Sequence, residues 1–316
     1  MTLSSKSNRG LPICGLSKQA LPTALRCCCL PVAAALLTAC GGGGSSAPTP
    51  APNQAPLVVA KLGGEAVLQA TTLFDTTGTT DPDGSIASRS WAYGDGQTGS
   101  ADSHIYTATG NYSATLTVTD NSGASASTRV PVTVAKCSNA GTQDARRSPF
   151  TTLCVQTSRG EMVFELYTAQ APVTTTNFLR YVDDGFYSNT LFHRVIADFV
   201  IQGGGYAPGL LAKAATHPAI TLESNNTLKN AQYTLAMART GLPDSATSQF
   251  FINLLDNPAL DYNPALATAN GYAVFGQVIS GTTVVDAIGV VSTTTTAGLT
   301  TVPVQDVLIR SLVRMP

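Results

Sequence analysis

The sequence predicts a mainly β protein in two domains, a β-sandwich followed by a β-barrel capped by helices. Three observations lead there. Tyr112, Ala114, Leu116 and Val118 alternate with Ser113, Thr115, Thr117 and Thr119, the period-two pattern of a half-buried strand. The 28 glycines and 18 prolines among 316 residues cut the chain into short apolar runs separated by turn signals. Helical patterning is confined to a stretch after Ala171 and another around Val284. Charged residues make up only 12% of the chain, against about 25% in an average soluble domain. A net charge of −1 lacks the basic excess of a nucleic-acid binder. Hydrophobic residues reach 43%, too many for a largely disordered chain. No apolar run of about 18 residues predicts a membrane-spanning helix.

Residues 1–39 read as an export signal. Lys6, Arg9, Lys18 and Arg26 lie in this stretch with no acidic residue, and Leu30–Leu37 follows as an apolar run. Leu37-Thr38-Ala39-Cys40, followed by four glycines and two serines, resembles a bacterial lipobox. The resemblance implies cleavage before Cys40 and lipidation of that residue. Several acyl chains would then hold the protein on a membrane, each buried CH₂ contributing about 0.8 kcal/mol. In a Gram-negative host, Gly41 rather than Asp after Cys40 favours the outer membrane. The expected location is the bacterial cell envelope, lipid-anchored and facing the periplasm. Residues 40–54, rich in Gly, Ser, Ala and Pro, read as a tether.

With four cysteines in the leader and one lipidated, Cys137 and Cys154 remain. An even pair in an exported protein suggests a disulfide between the two domains. Two free thiols are the alternative, because sequence does not show their separation.

Residues 55–136 read as the sandwich. Arg129–Val134 is its last strand, with Pro131 expected at an edge. Turn signals stand at Asp81–Gly84, Gly94–Gly96, Gly110-Asn111 and Asp120–Gly123. Asp81-Pro82-Asp83-Gly84, Trp91-Ala92-Tyr93-Gly94-Asp95-Gly96, Gly110-Asn111-Tyr112 and Leu116-Thr117-Val118-Thr119-Asp120 resemble a PKD domain. That likeness implies an Ig-like sandwich serving as a spacer or as a module for a polysaccharide or protein partner. Trp91 reads as its core anchor. Asp81, Asp83, Asp95 and Asp120 are oxygen ligands of the kind Ca²⁺ takes, but each also suits closing a turn on its own backbone. Residues 137–150 read as a second linker.

Residues 151–316 form the second domain. Val155/Thr157 and Met162/Phe164/Leu166 suggest a hairpin about Ser158–Gly160. Pro172 starts a helix whose apolar face is Val173, Phe178, Leu179 and Val182, and Gly185 ends it. Val284, Val285, Ile288 and Val290 suggest a second short helix, and Val302–Leu312 a final strand. Few helices among many short strands suggest the capped barrel.

Phe192-His193-Arg194-Val195-Ile196 and Phe199-Val200-Ile201-Gln202-Gly203-Gly204 resemble the signature of cyclophilin-type peptidyl-prolyl isomerases. The likeness continues through Ala236–Arg239, Ser245–Ile252 and Gly271–Gly276, closest to the periplasmic bacterial branch. It implies an eight-stranded antiparallel barrel with two capping helices and a site on its outer face. It also implies the residue roles. Arg194 would address the proline nitrogen, with Gln202 orienting it. Phe199, Val200, Phe251 and Leu260 would hold the proline ring. Ala238, Arg239 and Gln249 would line the peptide groove, with Tyr272 as an aromatic wall. Without the motif, Arg194 reads as a structural ion pair and the phenylalanines as core. Ala259 stands where many eukaryotic members carry a Trp important for cyclosporin, so drug sensitivity is expected to be weak. His193 and His217 read as structural. No cofactor is implied, and no His/Cys cluster at metal spacing is seen.

The expected activity is therefore cis-trans isomerisation of X-Pro bonds in exported polypeptides, by a monomer, since no heptads are visible. The alternatives are an anchored scaffold that binds proline segments without turnover and a surface-adhesion role for the PKD-like module.

Overall fold

In a computed structural model, residues 49–265 and 270–316 are described. The leader, Cys40 and most of the tether lie outside the described residues. Among the described residues, no helix is long and apolar enough to cross a membrane.

The first domain has eight strands: β1 (Lys61–Leu62), β2 (Ala66–Val67), β3 (Thr71–Asp75), β4 (Ile86–Ala92), β5 (Thr98–Gly99), β6 (Ser103–Ile105), β7 (Gly110–Asp120) and β8 (Ser125–Ala135). They form two sheets, β1-β3-β6 and β2-β8-β7-β4-β5. The alternation along β7 buries Ala114, Leu116 and Val118 completely. Trp91 sits between the sheets, fully buried, stacked 4.4 Å from Phe74, with its indole N–H donated to Asp102 at 2.8 Å. Pro131 opposes Ser113 of β7, and its other side meets no strand, because two-residue β2 reaches only Val134 and Ala135. Asp120 accepts from the N–H groups of Ser122 and Ala124, and Asp95 from that of Gln97. Asn53 and Gln54, expected in the tether, are already tied to the sandwich through Asp120 and Asp83.

The segment expected to be a linker is instead helical. Helix α1 (Asn139–Arg147) starts at Ser138, whose hydroxyl accepts from Gly141 N–H at 3.0 Å, an N-cap that composition did not signal. Arg146 and Arg147 sit in its last turn, where cations complement the helix dipole. Ala145 packs with Cys137, Cys154 and Val163 in a small buried cluster on the outside of the following domain. Cys137 and Cys154 are joined in a disulfide. The Glu161 carboxylate beside it accepts from Ser138 N–H at 2.8 Å and from the Gln156 amide. Cys137, Cys154 and Glu161 are close enough to share a metal, but the disulfide leaves no thiolate to bind one. The two domains also meet directly. Arg310 donates to Gln69 O at 3.2 Å, and Val313 packs on the sandwich core.

The second domain contains β9 (Thr151–Thr157), β10 (Gly160–Leu166), helix α2 (Pro172–Asp183), β11 (Thr190–Ile196), β12 (Val200–Gly203), β13 (Tyr206–Ala207) and β14 (Leu211–Ala212). It continues with β15 (Thr234–Met237), β16 (Phe250–Asn253), β17 (Val274–Ser280), helix α3 (Thr282–Gly289), β18 (Thr293–Thr296), β19 (Leu299–Pro303) and β20 (Leu308–Arg314). Eight strands close into an antiparallel barrel in the order β10-β17-β15-β16-β12-β11-β20-β9. Its interior is filled by side chains such as Phe164, Phe178, Phe250 and Phe275, with α2 supplying Phe178.

Three expectations change. Val173 is exposed, because α2 buries the face carrying Thr174, Phe178 and Val182; Glu223 caps this helix from afar, accepting from Thr174 N–H at 2.7 Å. Val290 lies past α3 and is 80% exposed, leaving Val285 and Ile288 as its buried anchors. The final strand is two strands. The chain leaves the β18–β19 hairpin at Pro303 and re-enters the barrel at Leu308, because 304–306 turn through solvent.

The disulfide closes a 17-residue separation, which predicts about 3 kcal/mol of stabilisation by restricting the unfolded chain. Cys137→Ala combined with Cys154→Ala should lower the urea-unfolding free energy by about that amount. A loss below about 0.5 kcal/mol would contradict the estimate.

Candidate active site

The site lies on the outer face of β11, β12, β15, β16 and β17. Alternation makes each strand serve two faces. Ile201, Leu235, Phe250, Ile252 and Phe275 point into the barrel. Their neighbours Val200, Ala236, Phe251 and Val274 point outward and form a separate apolar cluster. Phe199, Ala238, Leu260 and Tyr272 rim that cluster.

Arg194 reaches this face through a β-bulge. Phe192 opposes Gly203, and Arg194 opposes Gln202, so His193 is an extra residue between them. In an unbroken strand, Phe192 and Arg194 would share a face. The bulge keeps Phe192 in the core and turns Arg194 outward beside Gln202. Arg194 Nη1 donates to Gln202 Oε1 at 3.3 Å, and Gln202 Nε2 donates to Gln249 Oε1 at 2.9 Å. Among the described residues, Arg194 makes no ion pair. Its guanidinium is thus a permanently charged, multi-donor group on the rim of an apolar pocket.

The structure gathers nine of the ten expected residues around one cavity of about 230 Å³. Gln249 is the tenth. It lines an adjoining cavity of about 150 Å³ with Thr240, Ser245 and Thr247, which the sequence reading did not single out. Arg239 is committed elsewhere. Its Nε and Nη2 donate to Gly271 O at 3.0 and 2.8 Å, and its guanidinium lies 4.6 Å over the Tyr272 ring. Arg239 therefore pins the Tyr272 wall. Tyr272 in turn meets Phe251 edge-on at 5.5 Å.

A buried amide network behind the pocket was also missed. Asn257 Nδ2 donates to Phe199 O at 3.0 Å and to Asn253 Oδ1 at 2.8 Å. Asn230 Nδ2 donates to Leu260 O at 3.0 Å. These bonds fix the two loops that carry Phe199 and Leu260. Asn253, set within the apolar run Phe250–Leu255, was the available signal. The expected histidines stay outside the pocket. His217 pairs with Asp184 at 2.6 Å. His193 is 4% exposed, tilted against Tyr206 at 4.5 Å, and burial pushes its pKa down to about 4.

An apolar cavity with a cation at its rim and an adjoining polar cavity thus lie on the outer face of a closed eight-stranded antiparallel barrel. The family model for cyclophilin type peptidyl-prolyl cis-trans isomerase matches residues 152–314, and that for the PKD domain matches 53–134. A Streptomyces antibioticus peptidyl-prolyl cis-trans isomerase is 51% identical over 160 residues, covering 51% of this chain and 96% of the relative. Isomerase B of Escherichia coli is 48% identical over 156 residues, covering 49% and 94%. A crystal structure of a Cryptosporidium parvum cyclophilin aligns with a TM-score of 0.45 at 27% identity, covering 53% of this chain and 98% of its own. The chain belongs to the cyclophilin-type peptidyl-prolyl cis-trans isomerases and carries a PKD domain ahead of the isomerase domain.

The depressed His193 pKa makes folding pH-dependent. The unfolded chain takes up a proton near pH 6.5, and the folded chain resists until about 4. The stability is whole above pH 6.5 and falls as pH drops through this window. His193→Gln should therefore lose about 2 kcal/mol less than the parent between pH 7 and pH 4.5 in urea titrations. Parallel losses in the two proteins would refute the assignment.

Proposed function

We propose that the chain isomerises X-Pro bonds of exported polypeptides from a lipid anchor at the bacterial cell envelope, with Arg194 as its catalytic residue. The observation that carries this reading is the pairing of Arg194 with Gln202 at the rim of the apolar pocket.

The chemistry asks for little else. Rotating the amide sacrifices resonance against a barrier of about 18–20 kcal/mol. No bond to a substituent is broken, so no nucleophile is required. As the amide twists, the lone pair on the proline nitrogen leaves conjugation and becomes an acceptor. A guanidinium N–H placed there bonds to the twisted amide more strongly than to the planar one, which lowers the barrier. The pocket of Phe199, Val200, Phe251 and Leu260 holds the ring and sheds the water that favours the more polar planar amide. Gln202 holds Arg194 in place and, with Gln249 and Ala238, offers bonds to the neighbouring backbone, so one end stays fixed while the other turns.

Lipidation at Cys40 and export rest on the lipobox and the charge layout of residues 1–39. The PKD domain, stapled to the barrel by the disulfide and α1, then acts as a spacer between the tether and the isomerase.

Two measurements test this reading. Arg194→Ala should lower kcat/KM on an Ala-Pro peptide by about 10²-fold or more, the scale of losing one charge-stabilising donor. An unchanged rate would exclude Arg194 from catalysis. Cys40→Ser should abolish incorporation of labelled fatty acid and release the protein from the membrane fraction. A variant that stays membrane-bound and labelled would remove the anchor from Cys40.

A further inference from the structure

A third cavity, of about 290 Å³, lies beside Arg194 and shares Arg194, Gln202 and Gln249 with the site above. The bulged His193 and Tyr206 line it on one side. The tip of the β18–β19 hairpin, Gly298 to Thr300, lines it on another. The hairpin turns through Ala297 and Gly298, both with positive φ (50° and 76°), the backbone of a tight turn matched to strand twist. It is anchored by buried Val302 and Pro303, while Thr293–Thr296 remain exposed. The hairpin therefore overhangs the end of the groove without entering the barrel.

The lining has a definite chemistry. Arg194 is the one fully charged side chain in it among the described residues. His193 is buried with no partner for Nδ1, and its ring stays neutral at pH 7. Tyr206 and Thr300 bring hydroxyls, and Gln249 brings an amide whose oxygen already accepts from Gln202. Hydrogen-bond donors around a single positive charge, with no carboxylate among them, match a carboxylate ligand. The hairpin itself is uncharged from Thr293 to Pro303, so nothing in it opposes an anion. The cavity shares Arg194 and Gln202 with the proline pocket, which places it within a few residues of a bound proline.

We propose that this cavity is a specificity subsite that takes an acidic side chain of the substrate, within three residues of the proline. The proposal rests on the isomerase reading of the adjoining pocket.

The test uses proline peptides carrying Glu, Ala or Lys at each of the three positions before and after the proline, with turnover read by exchange spectroscopy so that no protease selects among them. The parent should prefer Glu over Lys by about fivefold in kcat/KM at one position or two adjacent ones, the scale of one screened charge contact. Thr300→Asp should narrow that ratio below about twofold or invert it, and Thr300→Lys should widen it, by the same electrostatics. The ratio cancels any general loss of activity. A parent with no preference overturns the subsite. So does equal preference at all six positions, or a ratio that ignores both Thr300 charges, provided the Ala peptides turn over. Failure to turn over any peptide, Ala included, would instead overturn the isomerase reading, and the subsite with it.

Discussion

The strands around the site are apolar on both faces, one packed into the barrel interior and the other forming the outer pocket. β12, β15, β16 and β17 each send one residue inward to Phe250 and its neighbours and the next outward to Phe251 and its neighbours. A slip of one residue would exchange the two sets. On β11 the pattern would put the arginine in the core, and the extra residue at His193 prevents it. That single bulge therefore sets the whole site. It decides that the guanidinium meets the apolar pocket, and it leaves the imidazole buried, where it stays neutral at pH 7.

The site is electrostatically sparse. Arg194 keeps its charge without an ion pair, held by a neutral amide chain through Gln202 and Gln249. An amide orients the guanidinium without neutralising it and leaves its other N–H donors free. Arg239, the other cation at the pocket, is spent on the Gly271 carbonyl and the Tyr272 face. Behind the apolar wall, Asn230, Asn253 and Asn257 fasten the loops that no strand pairing reaches. A reaction that breaks no substituent bond can run on such a site, because only the difference between a planar and a twisted amide has to be recognised.

The joint between the domains follows from the same economy of surface. The outer face of β9 and β10 at Cys154 and Val163 is apolar, and α1 covers it. Gly141 is required there, since a Cβ would collide with the Glu161 carboxylate and Cys137 Sγ. The staple, the helix and the Arg310 contact to Gln69 together bind the sandwich to the closing strands of the barrel, on elements other than those that line the apolar pocket.

The sequence by itself determined the two β-domains, the hairpin of β9 and β10, the α2 and α3 helices, and the residues that meet at the pocket. Period-two alternation, glycine punctuation and a dense local motif are all short-range signals, and the motif residues lie on or next to adjacent barrel strands. Three things were decided only in three dimensions. The linker became a helix because Ser138 caps it and the barrel offers Ala145 an apolar seat. The last strand split because Pro303 and the exposed loop after it end one pairing before Leu308 begins another. The cavity under the β18–β19 hairpin arose because that hairpin, about a hundred residues downstream, lies against His193 and Tyr206. Each depends on contacts between segments far apart in the chain, and no local pattern encodes which distant surface will be there to receive them.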